Sequence, residues 1–121
     1  MKVLIVDDEA DIRRIGELSL QSVGGWDVLV AENGAEGMET AKAHNPDLIL
    51  MDMMMPEMDG LTVLGHMRKD PELESTPVIF MTAKVQRDEV ARYLEAGAAG
   101  VVHKPFDPMT LPDEIRTILN D

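Results

Sequence analysis

Short apolar runs and longer amphipathic stretches alternate five times along the chain. The first run is unbroken and rich in β-branched residues, which is typical of a strand buried on both faces. Four further runs of similar length follow, at intervals long enough to hold a helix. The five predicted strands are Lys2–Val6, Asp27–Ala31, Leu48–Met51, Val78–Thr82 and Gly100–His103.

Apolar residues recur at helical spacing in the segment after each strand. The predicted helices are Asp11–Val23, Ala35–His44, Gly60–Lys69, Gln86–Ala96 and Leu111–Leu119. Ile12, Ile15 and Leu18 share one apolar face of the first predicted helix. In the fourth, Val90, Tyr93 and Leu94 are predicted to face inward. Glycine and proline mark the helix ends, as at Gly97, which favours a C-terminal cap.

Five strand–helix units in succession predict an α/β fold, with a parallel sheet and helices on both of its faces. With 121 residues the chain matches a single domain, which we place at residues 1–121. In sheets of this kind, ligands bind beyond the carboxyl ends of the strands, where the strand order reverses. The residues that follow the strands are therefore the first candidates for a site.

Composition narrows the possible functions. The chain has no cysteine, which excludes disulfides, thiolate metal sites and a cysteine nucleophile. Its net charge of −12 at pH 7 repels nucleic acid and anionic lipid but favours cations and basic partners. No apolar run approaches the roughly 20 residues of a membrane-spanning helix, and the N-terminus lacks the features of a signal peptide. We therefore expect a cytoplasmic domain that binds neither nucleic acid nor membrane.

Polar side chains stand at the ends of four predicted strands. Asp7 and Asp8 follow the first strand, Asp52 follows the third, Thr82 ends the fourth and Lys104 follows the fifth. Two carboxylates about 5 Å apart repel by roughly 3 kcal/mol at an effective dielectric constant of about 20, so either a pKa rises or a cation binds. No histidine or cysteine accompanies them, which favours Mg²⁺. Each residue alone has an ordinary explanation as a cap, turn or strand residue, but together they supply the parts for phosphoryl transfer to an aspartate.

With their flanking residues, these positions resemble the receiver domain of two-component response regulators. The similarity covers residues 2–119 and rests on VLIVDDE at 3–9, DLILMDMMMPEMDG at 47–60, PVIFMTA at 77–83 and a glycine-containing run that ends in KPF at 104–106. The resemblance implies a flavodoxin-like (βα)5 fold, as in chemotaxis regulators, with strand order 2-1-3-4-5. It also implies a phosphorylation-controlled signalling switch. Such a protein is not a conventional enzyme, because it catalyses only its own aspartyl phosphorylation and dephosphorylation.

The resemblance further implies a role for each matching residue. Asp52 would accept a phosphoryl group from a phosphohistidine on a sensor histidine kinase or a histidine phosphotransfer protein. Thr82 and Lys104 would each bond a phosphoryl oxygen, and the Lys104–Pro105 peptide would be cis. A downstream effector protein or domain would then read the phosphorylated state.

A Mg²⁺ site is implied by the same resemblance. Asp8 would bind the ion directly, and Asp7 would do so directly or through water. Asp52 and the backbone carbonyl of Met54 would complete the protein ligands. The metal site and the phosphorylation site would therefore share Asp52.

One position departs from the family pattern. Receivers usually carry tyrosine or phenylalanine three residues before the lysine, and this chain has Val101 there. The usual ring rotation cannot occur at a valine, so we expect a different coupling to the output. Met54 and Lys84 occupy two positions that tune dephosphorylation in the family, and the long apolar side chain of Met54 would hinder water.

Two other functions remain as alternatives. A Mg²⁺-dependent phosphohydrolase with an aspartyl nucleophile usually has a second acid two residues after the first, where this chain has Met54. A flavin or nucleotide module needs a glycine-rich phosphate-binding turn, whereas the first turn here is acidic. The sequence leaves open whether the domain acts alone or belongs to a longer regulator.

Overall fold

The computed structural model describes residues 1–120, in which strands and helices alternate in the predicted order. The strands are β1 (Lys2–Val6), β2 (Asp27–Ala31), β3 (Leu48–Asp52), β4 (Val78–Thr82) and β5 (Gly100–His103). The helices are α1 (Ala10–Leu18), α2 (Gly34–His44), α3 (Gly60–Arg68), α4 (Arg87–Glu95) and α5 (Leu111–Asn120), and a π-helical turn (Ser19–Val23) extends α1. Within the described residues, no helix has the length and apolar content needed to span a bilayer. Asp121, the last residue of the predicted domain, lies outside this range.

All five strands are parallel and form one sheet in the order β2-β1-β3-β4-β5. This confirms the predicted doubly wound α/β fold and its strand order. Val6 lies opposite Ala31 of β2 and Met51 of β3, and Asp52 lies opposite Met81 of β4. The carboxyl ends of neighbouring strands therefore meet at one edge of the sheet, and the strand order reverses between β1 and β3.

Alternate residues of each strand contribute to two separate cores, one on each face of the sheet. Leu4 and Val6 belong to the core that includes residues of α2, α3 and α4. Val3 and Ile5 belong to the other core, which includes residues of α5 and of the π-helical turn. Both faces of β1 are covered by these cores, so its successive residues are all apolar from Val3 to Val6. This explains the unbroken apolar run at the start of the sequence.

Two of the three residues on the predicted apolar face of α1 lie outside the core. Ile15 and Leu18 are 41% and 45% exposed, whereas Gly16 is buried. A Cβ at Gly16 would lie 3.0 Å from Cδ1 of Ile5, so the glycine lets the helix approach the sheet closely. Ser19, one turn further along, is also buried. The buried side of the helix thus carries small residues, which a pattern of large apolar side chains does not reveal.

The inward face of α4 was also predicted only in part. Tyr93 is buried, Val90 is half-buried and Leu94 is 46% exposed. Leu94 borders a surface groove that is also lined by Gly100 and Val101 of the edge strand β5. Val101 is itself only half-buried in this groove, so Leu94 is left without full cover.

Candidate functional site

The carboxyl ends of the strands bring the predicted polar residues to one edge of the sheet. Asp7 follows β1, Asp52 is the last residue of β3, Thr82 is the last residue of β4, and Lys104 follows β5. Asp7, Asp52 and Thr82 are buried, and only 4% of Asp52 is exposed to solvent. Aspartate is rarely buried unless it is paired, so this edge differs from the rest of the acidic surface.

Four carboxyl groups form a cluster at this edge. One oxygen from each of Asp7, Asp8, Glu9 and Asp52 lies within 4.8 Å of the others. Asp8 and Glu9 are exposed at the mouth of the cluster, whereas Asp7 and Asp52 form its floor. The sequence prediction included the three aspartates and missed Glu9. Its place could have been inferred, because a residue two positions beyond Asp7 lies at most about 7 Å away.

Lys104 bridges the two buried carboxylates. Its Nζ lies 2.8 Å from Oδ2 of Asp7, 3.1 Å from Oδ1 of Asp52 and 4.0 Å from Oε1 of Glu9. Burial disfavours the charged amine, but the hydrogen bonds and negative charges of Asp7 and Asp52 outweigh it and raise the pKa of Lys104. A positive charge therefore lies at the floor of the acidic cluster. The Lys104–Pro105 peptide is cis, as predicted.

Burial and the negative charge of Asp7 raise the pKa of Asp52 to about 7, although Lys104 opposes both effects. Near neutral pH, a substantial fraction of Asp52 is therefore protonated when no cation is bound. The protonated acid is a poor nucleophile, because attack requires the carboxylate. A divalent cation among these acids would favour the carboxylate, because its charge offsets the repulsion from Asp7.

Backbone amides orient both buried carboxylates. The Glu9 N–H donates to Oδ1 of Asp7 at 2.9 Å, and the Met54 N–H donates to Oδ1 of Asp52 at 3.3 Å. Close packing at the start of α3 supports this arrangement, since a Cβ at Gly60 would lie 2.9 Å from the carbonyl oxygen of Asp52. Glycine therefore allows α3 to begin directly against the site.

Thr82 lies at the end of the neighbouring strand. Its hydroxyl oxygen accepts a hydrogen bond from the Lys84 N–H at 3.0 Å. The hydroxyl still has its own hydrogen to donate to an acceptor at the site. Thr82 thus connects the end of β4 to the loop that leads into α4.

The donor set fits a hard divalent cation. All four side chains of the cluster offer carboxylate oxygens, and none of the histidines in residues 1–120 belongs to it. The predicted carbonyl ligand, Met54, lies next to the cluster, since its N–H bonds to Asp52. Carboxylate and carbonyl oxygens suit Mg²⁺ better than metals that prefer thiolate or imidazole.

The chain is similar to known proteins over nearly its whole length. The chain matches the family model of the response regulator receiver domain over residues 3–116. It is 40% identical over 118 residues to the probable transcriptional regulator ycf27 of Porphyridium aerugineum, covering 98% of this chain and 48% of the relative. It is 36% identical over 120 residues to the chemotaxis protein CheY1 of Helicobacter pylori, covering 98% of this chain and 97% of the relative. Its fold is similar to that of the chemotaxis response regulator CheY4 of Vibrio cholerae, with a TM-score of 0.89, 31% identity and 97% of each chain covered.

These relatives differ in length. The chain spans about half the length of the ycf27 proteins but nearly all of the chemotaxis protein. The family match runs from β1 into α5 and includes every strand end that contributes to the acidic cluster. Proteins of this kind act in phosphorylation-controlled two-component signalling. The chain therefore belongs to the response regulator receiver domain family.

Proposed function

We propose that residues 1–121 form one receiver domain that accepts a phosphoryl group on Asp52 in a Mg²⁺-dependent reaction and thereby changes the binding of an effector. The observation that carries this proposal is the position of Lys104, whose ammonium group bridges the buried carboxylates of Asp7 and Asp52. A positive charge held beside Asp52 provides an ion-pair partner for the oxygens of an incoming phosphoryl group.

The proposed reaction begins with attack by a carboxylate oxygen of Asp52 on the phosphorus atom of a phosphohistidine. A P–O bond forms, the P–N bond breaks, and its electron pair stays on the leaving imidazole nitrogen. Lys104 exchanges its contact with Oδ1 of Asp52 for one with a phosphoryl oxygen and keeps its 2.8 Å contact with Asp7. The Thr82 hydroxyl donates to a second phosphoryl oxygen. The domain is thus not a conventional enzyme, because the group that turns over is its own Asp52.

We propose that Asp7, Asp8, Asp52 and the carbonyl of Met54 hold Mg²⁺. The bound ion supplies positive charge that offsets the repulsion among the carboxylates and an incoming phosphoryl group. Glu9 adds negative potential at the mouth of the cluster, which favours entry of a cation.

The charge of the chain supports protein partners. The net charge of −12 disfavours contact with nucleic acid and suits a partner with a basic surface. The proposed phosphodonor is a sensor histidine kinase or a histidine phosphotransfer protein, and the proposed reader is an effector protein or domain. The absence of cysteine from the sequence fits the proposed cytoplasmic location.

The proposed function is tested by phosphate incorporation from acetyl phosphate, measured as the intact mass of wild type, Asp52→Asn and Asp27→Asn. Asp52→Asn replaces the nucleophile with an amide, whereas the matched control changes an exposed aspartate at the start of β2. We expect one added phosphoryl group on wild type and on the control in Mg²⁺, none on Asp52→Asn, and little on any chain in EDTA. Circular dichroism should show that all three fold. Phosphate retained by Asp52→Asn, or gained equally in EDTA, would contradict the proposal.

A further inference from the structure

The buried face of α4 carries an aromatic ring directly over the strand that ends in Thr82. Tyr93 is 1% exposed, and its ring packs edge-to-face on Phe80 with centroids 5.6 Å apart and an interplanar angle of 68°. Phe80 and Thr82 are two residues apart on β4, so their side chains lie on the same face of the sheet. Tyr93 therefore packs on the face of β4 from which the Thr82 hydroxyl projects.

Tyr93 and Thr82 hold the same residue of the connecting loop. The Lys84 N–H donates to the Thr82 hydroxyl oxygen at 3.0 Å, and the Tyr93 hydroxyl donates to the Lys84 carbonyl at 3.4 Å. The second bond is long, which indicates a weak interaction that is readily released. Two hydrogen bonds and one intervening residue thus connect the end of β4 to α4.

Other contacts around the start of α4 are sparse. The residue before the helix, Gln86, makes no side-chain capping hydrogen bond. Val101 is only half-buried and lines a groove of about 370 Å³ together with Val85, Val90 and Leu94. Tyr93 is the only tyrosine of the chain, so no other phenolic hydroxyl is available for this role.

We propose that Tyr93 is the positioning residue that couples the Thr82 hydroxyl to α4, a coupling that Val101 lacks a ring to provide. The inference rests on the proposed phosphorylation of Asp52. The Thr82 side chain must rotate about χ1 to bring its hydroxyl to a phosphoryl oxygen, and this rotation moves the hydroxyl oxygen away from the Lys84 N–H. The loop of residues 83–87 then shifts, the Lys84 carbonyl leaves the Tyr93 hydroxyl, and α4 loses this hydrogen-bonded link to the end of β4. The Tyr93–Lys84 hydrogen bond therefore stabilises the unphosphorylated state alone.

The test compares Tyr93→Phe with wild type, because this change removes the hydroxyl and keeps the ring on Phe80. Thr117→Val is the matched control, since it removes a hydroxyl–carbonyl hydrogen bond to Asp113 of 3.0 Å on α5. Amide hydrogen exchange of residues 84–90 is measured in Mg²⁺ with and without beryllofluoride, a stable mimic of the phosphoryl group. We expect Tyr93→Phe to exchange about twofold faster without beryllofluoride and to match wild type with it, while Thr117→Val matches wild type in both.

Phosphorylation from acetyl phosphate provides a second readout. Tyr93→Phe should react about twofold faster than wild type, because the unphosphorylated state loses a stabilising bond. Equal exchange and equal rates in Tyr93→Phe and wild type would overturn the coupling alone. A difference that persists equally with beryllofluoride would also overturn it, since the bond would then belong to both states. If wild type shows no change in exchange with beryllofluoride and no phosphorylation from acetyl phosphate, both the proposed function and the coupling are overturned.

Discussion

The acidic end of the sheet and the flank formed by α4 and β5 are built from the same kind of strand–helix unit, but charged, buried groups make the contacts of the first, and neutral, partly exposed groups make those of the second. At the acidic end, Lys104 and two backbone amides contact buried carboxylates at distances of 2.8 to 3.3 Å. On the flank, the Tyr93 hydroxyl reaches the Lys84 carbonyl at 3.4 Å, and Val101 lines an open groove. The region that would perform the chemistry is therefore held firmly before a phosphoryl group arrives, whereas the region that would respond is held weakly.

The physical causes of this difference are separate. Charged groups at the floor of the acidic cluster are poorly solvated, so each of them would be costly to leave unpaired, and this cost fixes their geometry. Around the groove, apolar side chains such as Val85 and Leu94 stay partly exposed, so displacing them buries or exposes little area and changes the free energy only slightly. One domain thus combines a preorganised site with a flank that can move.

The largest expected effect comes from removing the positive charge of the acidic end. Lys104→Ala should lower the rate of phosphorylation from acetyl phosphate by roughly 100-fold, because the phosphoryl oxygen loses its ion pair. Mg²⁺ should nonetheless bind, and more tightly than in wild type, since the lysine no longer competes for Asp7 and Asp52. Phosphate incorporation measures the first effect, and the rise of the melting temperature with Mg²⁺ concentration measures the second.

Lys42→Ala is the matched control for this prediction. Lys42 pairs with Asp70 at 2.9 Å, a distance close to that of the Lys104–Asp7 contact, but the lysine side chain is exposed to solvent. Its removal should leave both measurements unchanged, because exposed ion pairs contribute little. Weaker Mg²⁺ binding in Lys104→Ala than in Lys42→Ala would contradict the competition between the lysine and the metal.

The sequence predicted the fold because the information is local. Each strand end coincides with a change from apolar to polar residues, and the observed bounds of β1, β2, β4 and β5 equal the predicted ones. Parallel pairing then requires Asp7, Asp52 and Lys104 to meet at one edge, so their proximity also follows from the sequence. Among the strands, only β3 differed in length, since Asp52 itself belongs to the strand, and each helix differed by a residue or more at one or both ends.

The remaining features depend on packing between distant residues. The exposure of Ile15 follows from the close approach of Gly16 to the sheet, which a pattern of large apolar residues does not reveal. The bridging position of Lys104 depends on the direction of a side chain 97 residues away from Asp7. The contact between Tyr93 and the Lys84 carbonyl depends on how α4 is rotated about its axis. Such orientations are set by the assembled core, and helical periodicity alone does not fix them.

A smaller effect is expected from the charge of Asp52 in metal-free protein. Its pKa rises from 3.8 to about 7 on folding because of burial and the charge of Asp7. Between these values the folded protein binds more protons than the unfolded chain, so the free energy of unfolding falls as pH rises from about 4 to about 7. Asp52→Asn lacks this titration. The free energy of unfolding of Asp52→Asn minus that of wild type should therefore rise between about pH 4 and pH 7, by an amount on the order of 1–3 kcal/mol. Above about pH 7 the difference should stay constant.

Urea unfolding in EDTA across this pH range measures the effect. Asp88→Asn provides the comparison on the flank, because Asp88 lies exposed in the first turn of α4. Asp88→Asn should lower the free energy of unfolding by less than about 1 kcal/mol, because a charged acid stabilises the start of a helix. This is opposite in sign to the change expected for Asp52→Asn. Parallel pH profiles for wild type and Asp52→Asn would show that folding does not raise the pKa of Asp52.

The smallest and most local expected change is at Val101. Phosphorylation should shift the loop of residues 83–87 and α4, while Val101 keeps its rotamer, because its branched β-carbon leaves few alternatives. The groove beside Val101 gives α4 room to move, so the active and inactive forms should differ by little free energy. We therefore expect the unphosphorylated protein to populate the active form at about 1–10%, in exchange with the major form. NMR spectra with and without beryllofluoride, together with relaxation dispersion of the free protein, measure both features. A large rotamer change at Val101 with an unmoved loop after β4 would show that the valine itself transmits the signal.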